Sequence, residues 1–163
     1  MVSTAATEEE IQTLHIRKEI LIAAPLEVTF QAVLDELGPE GLTPDGKSLN
    51  MKIEPWPGGR WYRDLGKNAG HLWGHVQVIK PPTLLEINGP MPMSYPAVNH
   101  IQYRLKAEGS GTRLTLLHRA IGLIPPEHRD GMPDGWEHEL QRIRDLAERR
   151  VGGPRGGGKE ARP

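Results

Sequence analysis

The chain has 163 residues, a net charge of −1 and no cysteine. That length suits one domain with one core, and so even a charge balance offers no electrostatic basis for binding nucleic acid. No apolar run approaches the roughly twenty residues of a membrane span, and the lack of cysteine excludes disulfides, thiolate catalysis and cysteine-ligated zinc.

The first residues are small, polar and acidic, without the basic-then-apolar order of a signal peptide. Residues 1–12 are therefore expected to be disordered and the chain cytoplasmic. Leu14, Ile16, Ile20 and Ile22 alternate with polar residues, the pattern of a half-buried strand. Lys18 falls on the same face, either to meet an anionic ligand or to run its stem along apolar surface with its head in water. Pro25 opens a helix whose apolar face is Leu26, Phe30, Val33, Leu34 and Leu37, and Gly38-Pro39 stops it.

From Met51 onward the period becomes two. Met51 and Ile53 lie on one strand. Pro57-Gly58-Gly59 turns the chain, with the glycines expected to supply positive φ. In the next strand Trp61 and Leu65 are expected to face inward and to bring Arg63 with them. Leu72, Gly74, Val76 and Val78 share a face of a longer strand, ended by Lys80-Pro81-Pro82. His71, Trp73 and His75 then lie on its outer face, where an exposed tryptophan would mark a homodimer contact or stand as a lone surface aromatic. Those two histidines are about 13 Å apart, too far to share a metal. Leu85 and Ile87 belong to a short strand followed by the loop Asn88 to Ala97. Ile101, Tyr103 and Leu105 alternate on the next strand, Gly109-Ser110-Gly111 turns it, and Leu114, Leu116, His118 and Ala120 share one face of the last.

Trp136, Leu140, Ile143 and Ala147 recur at helical spacing and predict a long C-terminal helix with one buried stripe. Met132-Pro133 just before it predicts a break, with Asp134 as N-cap and Glu137 completing a capping box. Residues 151–163 have almost no apolar side chain and are expected to be disordered. They hold Gly153 and Gly158-Lys159 at the spacing of a phosphate-binding loop, but Glu160 stands where that motif needs Ser or Thr. The folded domain is therefore expected over residues 13–150.

The order is strand, helix, about six strands, helix, and every strand connection after residue 48 is short, so the sheet should be antiparallel. The fold class is α+β: a curved antiparallel sheet of about seven strands wrapped around one long helix. Five segments carry a resemblance. They are Ala24-Pro25, Pro57-Gly58-Gly59-Arg60-Trp61, Gly74-His75-Val76 with Pro81-Pro82 and Leu85, Gly111-Thr112-Arg113-Leu114-Thr115-Leu116, and Gly135-Trp136 with Leu140. In this order they resemble the helix-grip superfamily (START-like, SRPBCC). Within it the chain is similar to bacterial homologues of the C-terminal domain of the activator of the ninety-kilodalton heat-shock protein ATPase. The resemblance covers about residues 13–150. It implies a cavity and a small apolar ligand, and it brings no shared catalytic triad. Chaperone activation belongs to longer members with another domain, for which this length leaves no room.

The candidate ligand-binding residues are Trp61, Arg63, Tyr103, Leu116, His118, Trp136 and Leu140, large side chains with polar tips drawn from facing elements. Arg63 offers a planar fork for a ligand carboxylate, or equally a partner for Glu54 or Asp64. His118 offers a polar cavity contact, a base near neutral pH, or a core histidine bonded to backbone or water, with a lowered pKa if it is buried. Met91, Met93 and Tyr95 would form an adaptable lid, or else a proline-stiffened loop packed on its own body. No catalytic set, metal site or cofactor motif is recognisable: serine occurs only as Ser3, Ser48, Ser94 and Ser110, and neither a nucleophile elbow nor a dinucleotide glycine pattern is present. The expected function is binding of a small hydrophobic or amphipathic molecule between sheet and helix. The alternatives are a cyclase- or hydrolase-type enzyme using His118, and a partner-binding or chaperone-associated protein.

Overall fold

A computed structural model describes residues 1–152 of the chain. In chain order the elements are β1 (Gln12–Ile22), α1 (Leu26–Leu37), β2 (Met51–Ile53), β3 (Arg60–Gly66), β4 (Ala69–Lys80), β5 (Leu84–Gly89), β6 (Ala97–Glu108), β7 (Gly111–Gly122) and α2 (Pro126–Gly152). The strands form one antiparallel sheet in the order β1-β7-β6-β5-β4-β3-β2. The first strand thus lies beside the last, and the short β2 forms the far edge. The core lies between the inner face of this sheet and the two helices, where Ile16, Val33, Tyr103, Leu116 and Ile143 are all buried.

Two bulges in β4 decide which residues face that core. Trp61 pairs with Gly74 and Tyr62 with Leu72, so Trp73 is the extra residue and the alternation resets there. Trp73 turns inward against Trp61, edge to face with ring centroids 5.1 Å apart. Leu72, expected on the core face, is 43% exposed instead. The expectation of an outward Trp73 marking a dimer contact is thereby overturned. The second irregularity falls between Val76 and Val78. Val76 opposes the buried Ile87 and Ile79 opposes Leu85, whereas Val78 opposes Glu86 and leaves the core face. Leu65, near the end of β3, is 56% exposed rather than inward.

The turn before β3 uses its two glycines differently. Gly58 has φ 81°, the left-handed conformation expected of it. Gly59 needs space instead, since a Cβ there would stand 1.9 Å from the Glu54 carbonyl oxygen. Gly59→Ala must shift backbone to relieve that overlap and should cost at least about 1–3 kcal/mol in urea unfolding. A neutral result would mean that this turn is not held against Glu54.

The predicted break at Pro133 does not occur. Helix α2 is continuous over 27 residues with Pro133 inside it, so Asp134 is no N-cap and Glu137 completes no capping box. A proline in a helix interior costs about 3 kcal/mol by removing one backbone hydrogen bond. Side-chain contacts on the same segment offset that cost. His128 Nδ1 meets the Tyr95 hydroxyl at 2.9 Å, Arg129 donates to Gln12 Oε1 at 3.2 Å, and Met132 packs on the core. At the other end Val151 and Gly152 complete the helix, two residues past the expected boundary, and Gln12 already belongs to β1. The phosphate-loop spacing from Gly153 and the rest of the expected disordered tail lie outside the described residues.

Candidate functional site

A pocket of about 490 Å³ opens between the sheet, the end of α1 and the first half of α2. Its apolar wall is Leu37, Leu49, Met51, Trp61, Trp73, Met91, Met93, Met132 and Trp136. Gly131 and Gly135 of α2 also line it, and a Cβ at either would meet no atom within 4 Å. These two glycines leave open space where ordinary helix residues would project side chains.

Of the expected ligand-binding residues, Trp61, His118 and Trp136 line this pocket. Tyr103, Leu116 and Leu140 do not: they are buried in the core behind it. Arg63 is also elsewhere, donating through Nε to the Leu49 carbonyl at 3.0 Å, so its fork is not turned to a ligand there. Lys18 keeps its head near the surface, 3.5 Å from Glu137. In the expected lid, Met91 and Met93 form one wall, while Tyr95 is absent from the lining and bridges to α2 through His128.

His118 is fully buried, and both of its ring nitrogens are engaged. The Trp136 indole can only donate, and it does so to His118 Nδ1 at 2.9 Å. His118 is therefore neutral with its proton on Nε2, which donates to Asn99 Oδ1 at 2.7 Å. The Asn99 amide in turn donates to the carbonyls of Gly89 and Pro90 at 3.1 and 3.3 Å. This chain of hydrogen bonds ties α2 through β7 and β6 to the methionine loop. Burial lowers the His118 pKa from 6.5 to about 4, the direction expected from its apolar strand face. No nitrogen is left for a ligand or a substrate proton, which corrects the expected polar contact and removes the base from the cyclase or hydrolase alternative.

The polar groups that do face the pocket are ones the sequence reading passed over. Glu36, from the last turn of α1, and Glu139, from α2, both line it. Burial and the nearby Glu36 carboxylate raise the Glu139 pKa to about 7, with Arg142 opposing. Burial also raises that of Glu36. Among the described residues, three buried side-chain atoms in this region find no hydrogen-bond partner: Glu36 Oε2, Trp73 Nε1 and the Tyr103 hydroxyl. The phenol is pushed well above its usual pKa by burial and by the two glutamates. A signal for Glu139 existed in the sequence, since it stands three residues after Trp136 and four before Ile143, on the edge of the apolar stripe.

Glu139→Gln should stabilise the protein above about pH 7 by about 1–2 kcal/mol, a figure reduced for the partial exposure of the side chain. A carboxyl with a raised folded pKa contributes fully below its unfolded value and loses that contribution as pH rises through about 7. Near pH 5 the substitution should be close to neutral, and an equal gain at both pH values in urea unfolding would contradict this assignment.

Among the described residues no cluster of three or more His, Cys, Asp or Glu side chains could hold a metal, and no helix is long and apolar enough to cross a membrane.

The family model described as Activator of Hsp90 ATPase homolog 1-like protein matches residues 23–148. The chain belongs to that family. The match runs from just after β1 to near the end of α2 and so takes in every pocket element named above. No curated protein matches the chain. Among solved structures, the chain is similar to an uncharacterised protein from Rhizobium leguminosarum, with 18% identity, a TM-score of 0.70, and 88% of this chain and 99% of that one covered. A protein from Chromobacterium violaceum has 21% identity and a TM-score of 0.60, with 82% and 96% covered. CalU16 from Micromonospora echinospora has 22% identity and a TM-score of 0.55, with 91% and 90% covered. At these identities the likeness is one of fold, an SRPBCC-type sheet and C-terminal helix, and function must be argued from the site.

Proposed function

We propose that this member of the family binds a small amphipathic molecule in the pocket between sheet, α1 and α2. The observation that carries the reading is an apolar recess of about 490 Å³ with the buried Glu36 Oε2 and Trp73 Nε1 left unpartnered beside it. Buried polar atoms are nearly always hydrogen-bonded in folded proteins. The Glu36 oxygen, bordering the pocket from α1, calls for an occupant that supplies the missing donor. The volume lies within the usual range for small-molecule sites, and burial of ligand surface on the tryptophan and methionine wall supplies about 25 cal/mol per Å² before the costs of association.

Mass spectrometry of the intact, detergent-free protein under non-denaturing conditions tests this directly, with a retained small molecule as the expected result. Intrinsic fluorescence gives a second readout, because Trp61, Trp73 and Trp136 all line the pocket. A protein that carries no adduct, and whose tryptophan emission is unmoved by any apolar probe, would end the reading.

A further inference from the structure

The two carboxylates say what kind of polar head the occupant carries. We propose that the ligand is a hydrophobic amine bound as its ammonium, with the charge at Glu36 and Glu139 and the apolar body along Trp61, Trp73 and Met93; this rests on the binding function proposed above.

Glu36 is only 8% exposed, lines the pocket, and has an oxygen without a partner. Among the described residues neither glutamate is in an ion pair. Two of the nearby cations are engaged elsewhere: Arg142 donates to the carbonyls of Leu42 and Thr43 at 2.9 and 3.4 Å, and Arg150 pairs with Asp35 at 2.7 Å. Two carboxyls facing one low-dielectric recess repel each other when both are ionised, and an added cation relieves that repulsion. An alcohol supplies hydrogen bonds there but no charge. A carboxylate ligand adds a third negative charge. The aromatic wall also suits an ammonium better than either, since ring faces attract cations.

Binding of the ammonium replaces the proton that the carboxyl pair holds near neutral pH, and that proton leaves to solvent. Affinity for an amine should therefore rise from about pH 6 to about pH 8, while affinity for an alcohol stays flat. The other titratable or charged groups that bear on the pocket are Glu127 and His128 at its mouth and His118 and Tyr103 from the sheet. Behind the carboxyls stand Glu40, Arg142, Arg149 and Arg150. The pH dependence is measured in Glu139→Gln as well, where removal of one carboxyl should flatten it.

The test uses octylamine, octanol and octanoate, which share one apolar chain, in tryptophan-fluorescence and calorimetric titrations of the whole protein. Octylamine should bind at least about tenfold more tightly than octanol, and octanoate most weakly. Calorimetry in two buffers of different ionisation heat should show proton release with octylamine alone. Glu36→Gln and Glu139→Gln should each cost octylamine about tenfold and leave octanol within about twofold, which also shows that the pocket is intact in each variant. Octanol binding as tightly as octylamine, or amine binding that is indifferent to both substitutions, would overturn the amine assignment while the pocket still binds. If a variant does not fold, the wild-type ranking and proton release decide by themselves. Silence from all three probes with the wild-type protein would overturn both the amine assignment and the binding function beneath it.

Discussion

Trp136→Ala should lower the unfolding free energy by about 3–5 kcal/mol, near the top of the range for a single substitution. Trp136 is the first residue of the buried stripe of α2, and its ring packs edge to face on both Tyr103 and His118. Removing the indole deletes that packing and also strips the partner from His118 Nδ1 inside the core. The second effect adds to the first, because a buried acceptor left without a donor retains its full desolvation cost. Urea unfolding measures the sum. Trp136→Phe separates the parts, since it restores most of the packing and none of the hydrogen bond. A loss below about 1 kcal/mol for the alanine variant would mean that the pocket collapses onto the vacated space.

Acid should act on the protein through His118. Its pKa is depressed from 6.5 to about 4 by burial, so the folded state resists a proton that the unfolded chain accepts. The sign follows from linkage: the contribution is fully present above about pH 6.5 and is lost as pH falls toward about 4, with a full amplitude of about 3 kcal/mol. Protonation would also set a second N–H against the indole N–H of Trp136, which can only donate. Glu139 works in the opposite sense over an overlapping range, because its raised pKa favours the folded state as pH falls below about 7. The total slope of stability against pH is therefore muted, and the diagnostic quantity is the difference between wild type and His118→Phe. The variant should be less stable at neutral pH, having orphaned Trp136 Nε1 and Asn99 Oδ1, and the gap should narrow between about pH 6.5 and about pH 4. A constant gap across that interval would show that His118 titrates alike in both states.

Both effects pass through one hydrogen-bonded chain, from Trp136 through His118 and Asn99 to the backbone at Gly89 and Pro90. It joins the helix that covers the pocket to the loop that forms its methionine wall. A proton at His118 therefore loosens the pocket at two sides at once, and ligand affinity should fall with stability below about pH 5.

Most of the architecture was legible in the residues. The period-two runs in β1, β6 and β7 and the stripe Trp136, Leu140, Ile143, Ala147 lie in one core, and these patterns depend only on local backbone geometry and on which side chains avoid water. His118 was readable as an inward residue for the same reason. The faces of β4 were not, because a bulge shifts alternation by one residue and leaves no mark in composition; here Trp73 went inward and Leu72 outward. Helix α2 also escaped a local reading. Pro133 and two flanking glycines argue for a break, and only contacts with Tyr95, Gln12 and the core hold the segment helical.

The site was the least legible part, because its chemistry belongs to pairs of residues far apart in the chain. Nothing local to His118 says that a tryptophan eighteen residues on and an asparagine nineteen residues back will occupy its two nitrogens. Glu36 looks like an ordinary helix charge and Glu139 stands only at the edge of an apolar stripe, until the packing of α1 and α2 over the sheet brings both to one apolar pocket. Periodicity and turn chemistry thus determined the strands, the helices and most of the buried face, since those follow from the preference of each short segment. The bulge in β4, the unbroken helix and the meeting of two carboxyls were decided by the tertiary structure alone, since each depends on contacts and burial that arise only when the elements are packed together.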